Sequence, residues 1–408
     1  MTVLAKTPAK GRLLPYGRQS IDDSDIAAVA DVLRGDFLTT GPAVDGFEQA
    51  FADVADAPYA VACSSGTAAL HIAALAVGVE PGDRVIVPSI TFLATANAPH
   101  LSGAEIVFAD VDPDTGLMLA DTLQEAMARA DGEVKAVFPV HLNGQTAPMP
   151  ELSDVARAAG IAIVEDACHA IATRYEANGV PVTVGSAAHS DLVCFSFHPV
   201  KTIAMGEGGA VSGRDPAFEE RLRLLRNHGM TRNADAFTNQ ALARDESGAA
   251  NPWYYEMPDV GFNYRASDIH CALGLSQLKR LDGFVEARKA LALRYDEKLA
   301  PLAPVVRPVK RVPGCDPVLH LYAILIDFPQ TGLTRRAVME ALRERGVGTQ
   351  VHYIPVHLQP YYRARYGNRE LPGAQAYYER CLSLPLFPAM TEEDVDYVIA
   401  SLKEVIGA

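Results

Sequence analysis

YAVACSSGTAALHIAALAVG, residues 59–78, carries the pattern that decides the fold. Tyr59 to Cys63 form a short, uninterrupted apolar run, as expected of a strand covered on both faces. Ser64, Ser65 and Gly66 break the run, and the small apolar residues that follow read as a helix opened by a glycine-containing turn. The same alternation continues downstream. VIVPS (85–89) precedes the helical ATANAPHLSG (94–103), and then come EIVFADV (105–111), VKAVFPVH (134–141), IAIVEDA (161–167), LVCFSF (192–197) and GGAVSG (208–213). Strands alternating with helices predict an α/β domain with a mainly parallel sheet. Ligands of such sheets sit beyond the carboxyl ends of the strands, where this chain places Ser64, Ser89, His141, Asp166 and Ser196.

Upstream, Asp22 or Asp23 caps a helix with Ile26, Val29, Val32 and Leu33 at helical spacing, stopped at Gly35. A second helix carries Val44, Phe47, Phe51 and Val54. Downstream, a helix from about Asp268 to Leu281 and the pattern EARKALALRYDEKL (286–299) lead into short strands and two further helices. The predicted organisation is an N-terminal arm over 1–15, a large α/β domain over 16–265 and a smaller α+β domain over 266–408.

Composition narrows the function. Of the 408 residues 49% are hydrophobic and 21% charged, enough apolar surface for a packed core, and the formal net charge of -14 opposes binding to nucleic acid or anionic lipid. A phosphate-bearing ligand therefore needs local donors. No apolar stretch approaches the length of a membrane span, and the first residues lack a signal-peptide core, so a cytoplasmic location is expected. The six cysteines contain no CxxC pair, and His352 and His357 show no HExxH pattern, so neither a disulfide framework nor a bound metal is expected.

The segment SFHPVKTIAMGEGGAV (196–211) holds the most informative residue, Lys201, just past a buried strand. Position alone makes it a loop lysine extending to water. Its company reads otherwise. An imine-forming lysine needs an amine that deprotonates and an electron sink beside it, which is what pyridoxal phosphate (PLP) supplies. A pyridine nitrogen is kept protonated by a carboxylate, and Asp166 stands at the end of a buried strand, where a helix cap is its competing role. Ser65, Gly66 and Thr67 open a helix whose free N–H groups suit a phosphate, with the Ser196 hydroxyl as a further donor. Phe92 is a candidate to stack on a planar ring, and His169 to flank the phenolic oxygen; core packing is the alternative for both. The chain lacks GxGxxG and GxxxxGK[ST], against a dinucleotide enzyme or a P-loop NTPase.

With Asp166, Ser196 and Lys201 in this order, the chain resembles the DegT/DnrJ/EryC1/StrS family of PLP-dependent sugar aminotransferases. The likeness runs through YGRQSIDDSDI, DFLTTGP, SSGTAALHIA, PSITFLATANA, VEDACHA, SFHPVKTIAMGEGGAV, RNHGM, GFNYRASDIHCALGLSQLKRLD, HLYAI and VHYIPVH. It implies the type I, aspartate aminotransferase-like fold. It also implies a dimer with shared sites: Asn263 from the partner subunit joins Ser65, Gly66, Thr67 and Ser196 on the phosphate, while Tyr16, Thr39, His320 and Tyr322 line the sugar-nucleotide pocket. The branch it looks most like aminates C4 of a UDP-linked 4-keto-6-deoxy-N-acetyl sugar, with glutamate as donor, on the way to pseudaminic acid. Rival readings are a GDP- or dTDP-sugar aminotransferase, a dehydratase on the same fold and a non-catalytic sensor. The dehydratases carry histidine where this chain has Lys201.

Overall fold

The computed structural model describes residues 13–408, so most of the predicted N-terminal arm lies outside the described residues. Of the remainder, Leu14 pairs its backbone in parallel with Val347, and its side chain is buried in the C-terminal core. The described end of the arm thus packs with the smaller domain.

Helix α1 (Asp23–Arg34) starts at Asp22, whose carboxylate accepts from the Ser24 and Asp25 N–H groups while Asp25 returns the bond to Asp22 N, a capping box. Its docking differs from the expected apolar-stripe packing. Ile26 and Leu33 are 59% and 57% exposed, and the buried residue is Asp25, which accepts from Gln277 and Arg280. Helix α2 (Pro42–Ala55) behaves as predicted: Phe47 and Phe51 pack edge-on against Phe197, and Phe51 against Phe195. Each such buried ring contributes about 1.5–3 kcal/mol.

Nine strands follow in the large domain: β1 (Tyr59–Cys63), β2 (Arg84–Pro88), β3 (Glu105–Ala109), β4 (Val134–Val137), β5 (Ala162–Asp166), β6 (Arg174–Ala177), β7 (Val180–Thr183), β8 (Leu192–Ser196) and β9 (Gly209–Gly213). Seven form one sheet in the order β1-β9-β8-β5-β4-β2-β3. The run β3-β2-β4-β5-β8 is parallel, whereas β9 runs antiparallel to both of its neighbours. A short apolar run does not encode its direction; that comes from the length of its connection. The turn from Lys201 to Gly208 contains no crossover helix, so the chain doubles back as antiparallel β9. Apolar side chains from each face of the sheet form separate cores.

A second, antiparallel sheet joins Val306–Pro308, Tyr322–Ile326 and Cys381–Leu384. Helix Asp268–Leu278, expected to open the smaller domain, packs instead against α1 and α2, and Cys271, Leu281 and Phe284 belong to the large-domain core. From Leu291 onward the helix Leu281–Leu299 faces the smaller core. The change of core therefore falls inside that helix, beyond the expected boundary at 266. Among the described residues no helix is long and apolar enough to cross a membrane.

Candidate active site

Parallel strands deliver their carboxyl ends to one edge, and here that edge opens into a cleft of about 490 Å³. Its lining includes Tyr16, Ser65, Gly66, Thr67, Phe92, Asp166, His169, Ser196, Lys201 and His320, all candidates from sequence. They come from both domains and from chain segments some 300 positions apart, Tyr16 to His320.

The anion-binding corner is built by close backbone approach. Helix α3 (Gly66–Ala76) begins at Ser65, whose hydroxyl accepts from Ala68 N at 3.1 Å and keeps its own proton to donate toward the cleft. Ser65 O takes the Ala69 N–H, leaving the Gly66 and Thr67 N–H groups at the cleft end of the helix. Gly66 faces Ser196 so closely that a Cβ there would lie 2.7 Å from Ser196 Cβ and 3.1 Å from its Oγ. On Gly209, paired with both Cys63 and Ser196, a Cβ would fall 2.3 Å from Ser65 O. Only glycine lets the helix start, the β8 end and β9 meet.

Asp166 closes β5. Its Oδ2 accepts from Thr95 Oγ1 at 2.6 Å and its Oδ1 from Cys168 N at 3.1 Å. It is 6% exposed, so the alternative of a simple helix cap does not describe it: both oxygens are held while the group faces the cleft. Lys201 follows the β8 end, with its N–H bonded to His198 O at 2.8 Å. Burial pushes its ammonium below the usual lysine range, with Cys168 and Asp166 pulling the other way. An amine held this way is easier to deprotonate.

Three histidines crowd the opposite wall. His169 sits 4.6 Å, ring to ring, from His320, with its Nε2 3.1 Å from the Tyr353 hydroxyl and its buried Nδ1 unpartnered. Burial drives His169 and His320 far below the usual histidine range, the neighbouring histidine and Lys201 adding to the effect on His320; burial takes His352 to about 3. The His320 backbone is fixed by buried Arg288, whose Nη1 donates to the Leu319, His320 and Leu386 carbonyls.

Two expected pocket residues lie elsewhere. Tyr322 is 1% exposed, stacks on Tyr295 and donates its hydroxyl to Asp296 in the smaller core. His320 precedes the strand Tyr322–Ile326 in a bend, so the strand's alternation does not extend to it and Tyr322 is free to turn into the smaller core. Thr39 is exposed, its backbone bridged to Ser267, and is not in the lining. Asn263 is exposed, bridged to Asn227 and likewise outside its own chain's cleft.

Residues not picked out from sequence also join the wall, chiefly Tyr353, His352, Gln350 and Thr91. In the VHYIPVH segment the spacing of the two histidines gives no signal from sequence beyond the lack of a metal pattern. In the fold His352 Nδ1 meets Ser383 Oγ at 2.8 Å and His357 Nδ1 meets Ser89 Oγ at 2.5 Å.

A nucleophilic lysine of depressed basicity, a held carboxylate and a glycine-lined anion corner define a PLP-dependent aminotransferase. The chain belongs to the DegT/DnrJ/EryC1/StrS aminotransferase family, whose model matches residues 19–403. It is 37% identical over 400 residues to the spore coat polysaccharide biosynthesis protein SpsC of Bacillus subtilis (strain 168), covering 97% of this chain and 98% of that protein. Among solved structures, PseC of Helicobacter pylori, an aminotransferase involved in pseudaminic acid biosynthesis, superposes with a TM-score of 0.86 at 27% identity, over 97% of this chain and all of the other. A putative sugar aminotransferase of Streptococcus pneumoniae in its PLP form superposes with a TM-score of 0.84 at 27% identity, over 97% of this chain and 99% of that one. The same protein is also known in its PMP form. The protein is a sugar aminotransferase of the type I fold, and its cofactor is PLP.

The residues present fit that cofactor. The glycine cradle leaves room for a phosphate against Gly66, Thr67 and Ser196, the Asp166 carboxylate is the acceptor a ring N–H requires, and His169 Nδ1 is a buried polar atom awaiting a partner.

Proposed function

We propose that the protein transfers an amino group from glutamate to C4 of a UDP-linked 4-keto-6-deoxy-N-acetylhexosamine, in the biosynthesis of pseudaminic acid or a related amino sugar. The observation that carries the substrate reading is the likeness to PseC over 97% of the chain, together with a cleft whose side walls come from both domains.

When bound, PLP supplies the carbonyl that takes up an amino group and a ring that delocalises the charge left when a proton is removed. The chain's own groups do the rest. Ser65, Gly66, Thr67 and Ser196 would hold the phosphate, Phe92 would cover one face of the ring, Asp166 would pair with its nitrogen and His169 would lie beside its phenolic oxygen. Lys201 anchors the cofactor at rest. Once displaced, its amine is buried and of lowered basicity, fit to take a proton from one carbon and return one at sugar C4. Tyr16 and His320, from opposite ends of the chain, face the same cleft and contact the sugar nucleotide.

The active form is a homodimer in which Asn263 completes the partner's phosphate site. Two features support this: Asn263 is exposed and lies outside its own cleft, and Ile26, Leu33 and Phe37 leave an apolar face open on α1 and the turn after it. The enzyme works in the cytoplasm.

Purified protein with PLP and glutamate, offered UDP-, GDP- and dTDP-linked 4-keto sugars, tests the substrate reading by product mass. Amination of the UDP-linked N-acetyl sugar well above the others is expected. Preference for a GDP or dTDP sugar overturns the substrate, deoxygenated product makes the protein a dehydratase, and no product with any of them makes it a sensor.

A further inference from the structure

We propose that Thr95, backed by Thr91, is a positioning residue that sets the orientation of the Asp166 carboxylate and through it the cofactor ring. The proposal rests on the assignment of Asp166 to the ring nitrogen.

The geometry is a chain of two buried hydroxyls ending on a carboxylate. Thr91 Oγ1 lies 2.7 Å from Thr95 Oγ1, and Thr95 Oγ1 lies 2.6 Å from Asp166 Oδ2. Thr91 is 2% exposed and Thr95 fully buried, so water does not substitute for either bond. The direction of both bonds follows from counting protons. An ionised carboxylate only accepts, so Thr95 donates its single O–H to Asp166; having none left, it must accept from Thr91. The order is Thr91 to Thr95 to Asp166.

Oδ1 is engaged separately by Cys168 N at 3.1 Å. The carboxylate is thus pinned at both oxygens from two elements, Oδ1 by the loop after β5 and Oδ2 by helix α4 (Leu93–Leu101). The Thr95 bond is made by a side chain, as is a further one from the Cys168 thiol, and it is the short bond that a substitution at Thr95 removes without changing the backbone. The other titratable groups around Asp166 are Cys168 two positions on, Cys194 on β8, Lys201 beyond β8 and Tyr353 from the smaller domain. Of these, the Cys168 thiol also hydrogen-bonds the carboxylate. Thr91 lines the cleft, so the relay reaches from the cleft wall to the carboxylate.

Thr95→Val keeps the shape and deletes the donor; Thr95→Ser keeps the donor. In Thr95→Val holoenzyme, kcat is expected to fall about tenfold or more, the effect of losing a hydrogen bond to a charged group, with the KM for sugar changed less than twofold. The visible band of the lysine-bound cofactor shifts its pH midpoint, and PLP is lost faster on dialysis. Thr95→Ser restores all three, while Thr91→Val, which removes the outer bond, falls between. Should Thr95→Val not fold, Thr91→Val against wild type carries the same readouts. A Thr95→Val holoenzyme with wild-type kcat, band titration and PLP retention overturns the proposal, as does a Thr95→Ser variant no better than valine. Asp166→Asn run beside them separates the two readings: if it stays active the ring-nitrogen assignment fails, and if it collapses while Thr95→Val is silent only the relay fails.

Discussion

Gly66→Ala puts the construction of the anion corner to a quantitative test. The added methyl would sit 2.7 Å from Ser196 Cβ and 3.3 Å from its Cα, inside ordinary van der Waals contact, and the obstacle is a strand, not the end of a flexible side chain. β8 has no room to withdraw, because Ser196 is paired with Gly209, and Gly209 already touches the Ser65 carbonyl. Forcing a methyl into such packing costs about 1–3 kcal/mol. For a chain of this size that lowers the melting temperature by roughly 1–4 °C. The start of α3 must also move, which carries the Gly66 and Thr67 N–H groups away from the phosphate and weakens PLP retention by about tenfold, one charge-assisted hydrogen bond's worth. Thermal unfolding of the apoprotein reads the first effect and the cofactor's absorbance after dialysis the second. Ser196→Gly in the Gly66→Ala background removes the clashing Cβ, so more than half of the lost melting temperature returns, whereas PLP retention stays low because the serine hydroxyl has gone too. A Gly66→Ala protein that melts and retains PLP like wild type refutes the close-approach reasoning; so does a double variant with no thermal recovery.

Lys201→Arg is expected to abolish turnover and the visible band of the lysine-bound cofactor, since a guanidinium neither forms the link nor exchanges a proton near neutrality; full activity in that variant removes Lys201 from the mechanism. Burial keeps His169, His320 and His352 unprotonated in the fold while the unfolded chain protonates near pH 6.5, so their contribution to stability is full above about that pH and is lost as pH falls toward the depressed folded value, about 3 for His352. Urea midpoints of the apoprotein between pH 7 and 5 should therefore fall on the order of 1 kcal/mol per pH unit for each histidine, and His352→Gln should flatten the slope by one proton's share; an unchanged slope would contradict the burial argument. Tyr322→Phe should leave the KM for sugar unchanged and cost about 0.5–1.5 kcal/mol in urea titration, the worth of one hydrogen bond, because Asp296 keeps Arg311 as a partner, whereas a raised KM would return Tyr322 to the pocket.

What the amino-acid sequence determined by itself was local. A run such as YAVAC ending in SSG carries its strand, its turn and its helix start within a few residues, and Asp22 with Asp25 writes a helix cap in four. Lys201, Asp166, Ser196 and the Gly66 turn were legible for the same reason: each is a polar or glycine position breaking an apolar run at a strand end.

Contacts between distant segments were decided only by the tertiary structure. The antiparallel course of β9 depends on how the chain returns after Lys201, and the outward face of α1 depends on Asp25 finding Gln277 and Arg280, more than 250 positions away. Tyr322 left the pocket because it starts a strand whose inner face packs on Tyr295 in the smaller core, while His320 lies in the bend before it. Thr95 reads as one more helical residue until the fold sets its hydroxyl 2.6 Å from a carboxylate 71 positions on. The inventory of chemistry is a property of the chain, while the distances that make it a site exist only once β1, β5 and β8 end at the same edge of one sheet.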